Sequence, residues 1–157
     1  MTAKNRFQVE PAKRYSRKAY AEFVHQVELE EIWLESLELA RPRQDASDQT
    51  RVVVAIEGRT ERSLVGFDGF TRLSAKFLTE VPDEVDSIDD DAQVAMKIEI
   101  VFGARYGSNI TPTERFLKQF GETSVQLAHW PYLRETLQST LMRAGWPPFT
   151  LPVFTVS

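Results

Sequence analysis

From Val94 to Tyr106 the chain reads VAMKIEIVFGARY, which sets Val94, Met96, Ile98, Ile100, Phe102, Ala104 and Tyr106 on one side. Lys97, Glu99, Val101, Gly103 and Arg105 alternate with them on the other. Side chains of a strand point to opposite faces in turn, so this run predicts a long strand with one covered and one wet face. A strand of a parallel sheet, buried on both sides, would read as a short unbroken apolar run instead. The chain therefore builds an antiparallel sheet, and whatever covers its dry face must come from elsewhere in the sequence.

Three other stretches supply strands. From Val27 the apolar period becomes two, with Val27, Leu29, Trp33, Leu37 and Leu39 on one side until Pro42 ends the run near Ala40. RVVVAIE, residues 51–57, is short and β-branched and reads as a buried strand; residues 58–66 then form a turn-rich connection of the kind that closes a hairpin. FTRLSAKFL, residues 70–78, alternates Leu73, Ala75 and Phe77 with Arg72, Ser74 and Lys76. Ahead of the first strand, Tyr20, Phe23, Val24 and Val27 at i, i+3, i+4 and i+7 make one face of an amphipathic helix.

Helices follow the last strand. In TPTERFLKQFG, Thr111 is placed as N-cap, Pro112 as the first helical residue and Glu114 as the third, a capping box, with Gly121 as the stop. The final helix carries a Leu133, Leu137, Leu141 stripe and either begins near Thr123, with Pro131 inside it, or begins at Pro131. Gly145 and the pair Pro147–Pro148 end it, leaving an apolar tail, PPFTLPVF, whose prolines prevent continuous strand pairing. Such a segment lies over the fold as an extended strap. The expectation is one α+β domain over residues 1–157: a polar start and N-terminal helix (1–29), a four-stranded antiparallel sheet (30–106), helices on one face of it (111–145) and the strap (146–157).

Composition narrows the function. The net charge of −4 is the wrong sign for nucleic-acid binding, and the basic group Lys13, Arg14, Arg17 and Lys18 reads as a solvated helix start. Cysteine is absent, which excludes disulfides and thiolate chemistry. No apolar run is long enough to cross a membrane and the first twenty residues contain no signal-peptide core, so the cytoplasm is the expected compartment. The acidic stretch VPDEVDSIDDD has neither the glycine nor the distal glutamate of a calcium loop and reads as a solvated loop. His25 and His129 stand far apart in sequence, with no metal-ligand spacing and no phosphate loop anywhere, so no cofactor is implied and an enzyme is not expected; one would need Glu99, Glu135 and His129 to converge in space. What the chain has in excess is apolar surface, which points to oligomerisation or a binding groove. A small-ligand-binding α+β domain closed over an apolar cavity is the alternative.

The segment WPYLRE…MRAGWPPFTLPVF resembles the signature of the SecB family of export chaperones. Trp130, Pro131, Tyr132, Arg134 and Glu135 match its aromatic-Pro-Tyr-x-Arg-Glu helix start; Arg143, Trp146, Pro147, Leu151, Pro152 and Val153 match its second part, with one residue deleted before Pro152. IWLESLELARP is similar to the family's first strand and MKIEIVFGARY to its last. The resemblance implies a four-stranded sheet with helices on one face, a homotetramer, and ATP-independent holding of unfolded polypeptides that are handed to the SecA motor. It further implies a client groove, for which Val52, Val54, Ile56, Phe149, Leu151 and Phe154 are the candidates, and a subunit interface of Trp130, Tyr132, Leu133, Leu137 and Leu141.

Three departures separate the chain from export SecB. Of the acidic sheet positions on which the motor docks, only Glu99 remains acidic, the first-strand positions being Ser36 and Ala40. The family continues beyond Pro-Val into a further helix and a motor-binding tail, whereas this sequence ends at Ser157. The loop after the first strand is polar, RQDASDQT, where the family's is aromatic. With the N-terminal helix, these features are similar to SecB-like chaperones of toxin–antitoxin systems, and they favour a dedicated client such as an antitoxin over general export.

Overall fold

In the computed structural model, which describes residues 12–41, 51–78 and 94–153, helix α1 (Ala12–His25) leads into strands β1 (Val27–Ala40), β2 (Arg51–Ser63), β3 (Gly66–Leu78) and β4 (Val94–Ser108). Helix α2 (Glu114–Phe120) then runs through a π-helical turn at Gly121–Val125 into α3 (Gln126–Arg143), and an extended strap follows. The strands form one antiparallel sheet in the order β1-β4-β3-β2. The fold is thus the expected α+β arrangement. The acidic stretch at 81–91, the polar loop at 42–50 and Phe154 lie outside the described residues, as do the side chains of Lys13 and Arg14; Arg17 and Lys18 are exposed.

β4 sits second in the sheet, and its alternation is realised as a dry face towards the helices. Met96, Ile98 and Ile100 are fully buried with Leu73, Ala75 and Phe77 of β3 and with Leu133, Leu137 and Leu141 of α3. A second cluster of Phe23, Phe67, Tyr106, Leu117, Phe120 and Val125 ties α1 and α2 to the other end of the sheet. In it Phe67 stacks on Tyr106 at 5.2 Å and Phe23 on Phe116 at 5.6 Å. Burying such side chains contributes about 1.5–3 kcal/mol each, so the two clusters dominate stability.

Four expectations are corrected. The stretch at 51–57 is not a buried strand followed by a connection: β2 is an edge strand that continues to Ser63, and only Leu64 and Val65 make the turn. Trp33 does not share a face with Leu29, Leu37 and Leu39. Register shifts at Leu29/Glu31 and Leu34/Ser36 each insert one residue, so Trp33 pairs with Gly103 on the far side of the sheet. The α2 N-cap is Thr113 rather than Thr111; its hydroxyl accepts the Phe116 N–H at 3.2 Å. Glu114 then heads the helix and pairs with Arg62 at 2.6 Å instead of closing a capping box. Gly121, finally, does not stop the helix: it keeps right-handed helical geometry, and α3 continues with Pro131 inside it.

Gly121 has a different use. A Cβ on Gly58 of β2 would lie 1.9 Å from the Gly121 carbonyl oxygen, so two glycines facing each other let the helical layer touch the sheet backbone to backbone. The widened π turn falls at this crossing. Beside it, the Thr60 hydroxyl donates to the Leu117 carbonyl at 3.1 Å and Arg62 to the Pro112 carbonyl at 2.6 Å, fixing the layer's distance from β2.

Candidate functional site

The helical layer is narrower than the sheet. α3 lies over β3 and β4, so the helix-side faces of both edge strands are incompletely covered. On β2, Val52, Val54 and Ile56 pair with Phe77, Ala75 and Leu73 and therefore face the helices. Val52 and Ile56 are half-buried against the main core, while Val54 stays 37% exposed.

The strap packs on the same core. α3 ends with Gly145 at φ +67, where the Trp146 N–H bonds the Leu141 carbonyl (3.0 Å) and the Gly145 N–H bonds that of Met142 (3.1 Å), a Schellman ending. The turn sends Trp146 under the sheet, edge-on to Phe77 at 6.0 Å and beneath the Arg41 guanidinium at 5.2 Å. Arg41 also donates to the Ala144 carbonyl at 3.3 Å. Leu151 is buried, and the Trp130 indole donates to the Pro152 carbonyl at 2.8 Å. Phe149 is half-buried and edge-on at 6.0 Å to Phe77, the cross-strand partner of Val52. β2 ends the sheet, so the ladder groups on its outer edge have no strand partner among the described residues, and prolines at 147, 148 and 152 keep the strap from pairing as a continuous strand.

A second uncovered row lies on β1, where Leu29, Leu34, Leu37 and Leu39 pair with Tyr106, Phe102, Ile100 and Ile98 and so face the helix side, yet remain 42–47% exposed. Tyr132 of α3, 47% exposed, packs its ring 5.8 Å from Phe102. Sequence reasoning put Leu29, Leu37 and Leu39, but not Leu34, on one strand face and did not name them as a site. The available signal was that this alternating strand has no apolar helix face left to cover it.

The residues singled out from sequence thus fall into separate places. Val52, Ile56 and Phe149 pack half-buried on the main core, Phe149 against Phe77, the cross-strand partner of Val52; Val54 is exposed in the same row, and Leu151 is buried in that core. Leu133, Leu137 and Leu141 are fully buried and Trp130 nearly so, all within the chain's own core, which leaves Tyr132 as the one of that set at the surface. Glu99 lies on the opposite face of the sheet, 3.4 Å from Lys97.

Glu99, Glu135 and His129 do not converge. Glu135 is exposed on α3, while His129 is fully buried, its Nδ1 2.8 Å from the Thr71 hydroxyl. Burial pushes the imidazole down to about 4, an effect that the nearby Gly103 carbonyl offsets only in part. Among the described residues no group of three His, Asp or Glu side chains is placed to hold a metal, and no helix is long and apolar enough to cross a membrane.

No family model and no curated protein matches this sequence. Among solved structures it is similar to a SecB-like chaperone from Mycobacterium tuberculosis in complex with a ChAD peptide from an antitoxin. The TM-score is 0.72 at 18% identity, over 89% of this chain and 99% of that one. The fold is therefore SecB-like.

Proposed function

We propose that this chain is an ATP-independent holding chaperone that captures unfolded or aggregation-prone polypeptides, with a dedicated client such as an antitoxin, and works in the cytoplasm as a homotetramer. The observation that carries the reading is the mismatch between a wide apolar sheet face and a narrow helical layer, which leaves an uncovered row on each edge strand. The two rows suit different tasks. The β2 row, with Phe149 packed near its Val52 end and an open strand edge beside it, fits an extended client, whose backbone can pair with the edge while its apolar side chains lie on the row. The β1 row with Tyr132 fits a second copy of the chain. The antitoxin peptide bound by the structural neighbour supports the choice of client class.

Burying about 600 Å² of apolar client surface at about 25 cal/mol/Å² gives roughly 15 kcal/mol gross. Association and ordering remove on the order of 4–15 kcal/mol of this, which leaves reversible binding without nucleotide. Engagement of several grooves by one client tightens it. Native mass spectrometry with and without an unfolded test protein provides the test. Four copies of 18.0 kDa that take up the unfolded chain and ignore its folded form support the proposal. A monomer indifferent to unfolded protein refutes it. Val54→Ser with Phe149→Ser lowers capture while the assembly stays intact; loss of the assembly would instead place these residues in the subunit interface.

A further inference from the structure

The face of the sheet away from the helices carries a small apolar cluster of its own. Arg59, Phe70, Gly103 and Trp33 lie in one row across β2, β3, β4 and β1. A Cβ at Gly103 would fall 2.5 Å from the Trp33 ring, so the glycine is what lets the indole lie across β4 and meet Phe70 edge-on at 6.1 Å. The Arg59 guanidinium covers Phe70 from the other side, 4.3 Å from its ring centroid, and is held there by Glu61. Although no second layer lies on this face among the described residues, Phe70 is only 8% exposed.

Beside this cluster is an open depression of about 180 Å³ lined by Glu57, Gly58, Arg59, Phe70, Arg72 and Val101. Phe70 and Val101 make an apolar floor. Arg59 and Arg72 stand on its walls, and Glu57 is the cross-strand partner of Arg72. Arg59 and Arg105, the other arginines of this region, have carboxylate partners: Glu61 for the first, Glu31 and Asp68 at 3.5 Å each for the second. Arg72 makes no ion pair or hydrogen bond with any described residue, not even with Glu57 directly opposite.

We propose that this depression seats an acidic side chain of a partner polypeptide, making it a docking point on the face opposite the client groove. The chemistry is that of a monoanionic carboxylate on an aliphatic stem: the stem meets Phe70 and Val101, and the carboxylate accepts from the Arg72 fork. Glu57 sets the selectivity. It accepts a backbone N–H from the same peptide and repels groups of higher negative charge, so a phosphate is disfavoured relative to a carboxylate. The occupant is therefore an acidic and aliphatic peptide segment.

The test uses the full chain and a short fluorescein-labelled peptide alternating glutamate and leucine, followed by anisotropy, alongside the same peptide with glutamine for glutamate and with inorganic phosphate as competitor. Saturable binding of the glutamate peptide is expected. It weakens roughly tenfold or more in Arg72→Gln, as in the glutamine peptide, because a charge-assisted fork is lost. Val54→Ser, on the other face, leaves it unchanged, and Glu57→Gln raises phosphate competition. Equal binding of the two peptides, or of wild type and Arg72→Gln, overturns the proposal. Loss of binding in Val54→Ser also overturns it by placing the peptide in the client groove, and phosphate competing as well as free glutamate reduces the site to a general anion pocket. Because client capture is read separately, failure here leaves the holding function standing.

Discussion

Replacing Gly58 with alanine tests whether a backbone-to-backbone contact sets the spacing between sheet and helices. In most strands this substitution is neutral or stabilising, because alanine loses less chain entropy on folding, by about 0.4–1 kcal/mol. Here the added methyl carbon would lie 1.9 Å from the Gly121 carbonyl oxygen, 2.9 Å from its carbon and 3.0 Å from Cγ of Gln126. The first two obstacles are backbone, so no side-chain rotation relieves them. Ordinary contact requires the helical layer to lift from β2 by more than 1 Å. The lift would loosen the Thr60–Leu117 and Arg62–Pro112 hydrogen bonds and unpack Val125 and Phe120 from the sheet. Overpacking of this kind costs typically 1–3 kcal/mol, and with two hydrogen bonds at risk Gly58→Ala is expected at the upper end, about 3 kcal/mol. Urea unfolding followed by circular dichroism measures it, with Ala55→Gly on the same strand as a control of ordinary sign. On the proposed function client capture should change as well, since the layer that moves lies over Gly58, next to Ile56 on the same strand face. A Gly58→Ala protein as stable as the wild type would refute the reasoning.

Other predictions follow from single contacts. His129 is neutral in the fold, with its pKa lowered to about 4 from the ordinary 6.5, so the unfolded chain takes up a proton first as pH falls. Stability should be complete above about pH 6.5, decline between 6.5 and 4 by roughly 3 kcal/mol, and lose nothing further from this group below 4; urea midpoints across that window check it, and His129→Gln should flatten the profile. Leu37→Glu, on the exposed row of β1, should shift the assembly to smaller species in native mass spectra with little change in the far-ultraviolet spectrum. Thr113→Ala removes the cap on the Phe116 N–H and should cost about 1 kcal/mol in denaturant unfolding.

The reach of the sequence differs from element to element. β4 was legible in full because every second side chain from Val94 to Tyr106 reports the same face, and only a strand gives that period. The end of α3 was legible because Gly145 takes a left-handed conformation that glycine accepts without strain. β1 was read one face wrong at Trp33: two inserted residues, Glu30 and Glu35, carry no mark in the sequence, since a bulge is defined only by what the partner strand does. Gly121 looked like a helix stop because local propensity makes glycine one, yet its role is set by Gly58, sixty-three positions earlier, across the sheet–helix interface.

Of the candidate site, the β2 valines and Phe149 were visible as apolar residues, but their pattern could not say which would be buried. Leu133, Leu137 and Leu141 form as clean a stripe as any interface, and the fold places them wholly inside. The depression at Arg72 was invisible, because it joins side chains from three strands on a face that sequence marks only as polar. By itself the sequence determined the strand and helix periods, the dry face of the sheet, the missing chemistry and the apolar excess, all of which depend on neighbours within a few residues. Tertiary structure alone decided how wide the helical layer is relative to the sheet. That width depends on a glycine pair, two bulges and a strap acting across long separations, and it determines which apolar side chains are core and which remain exposed.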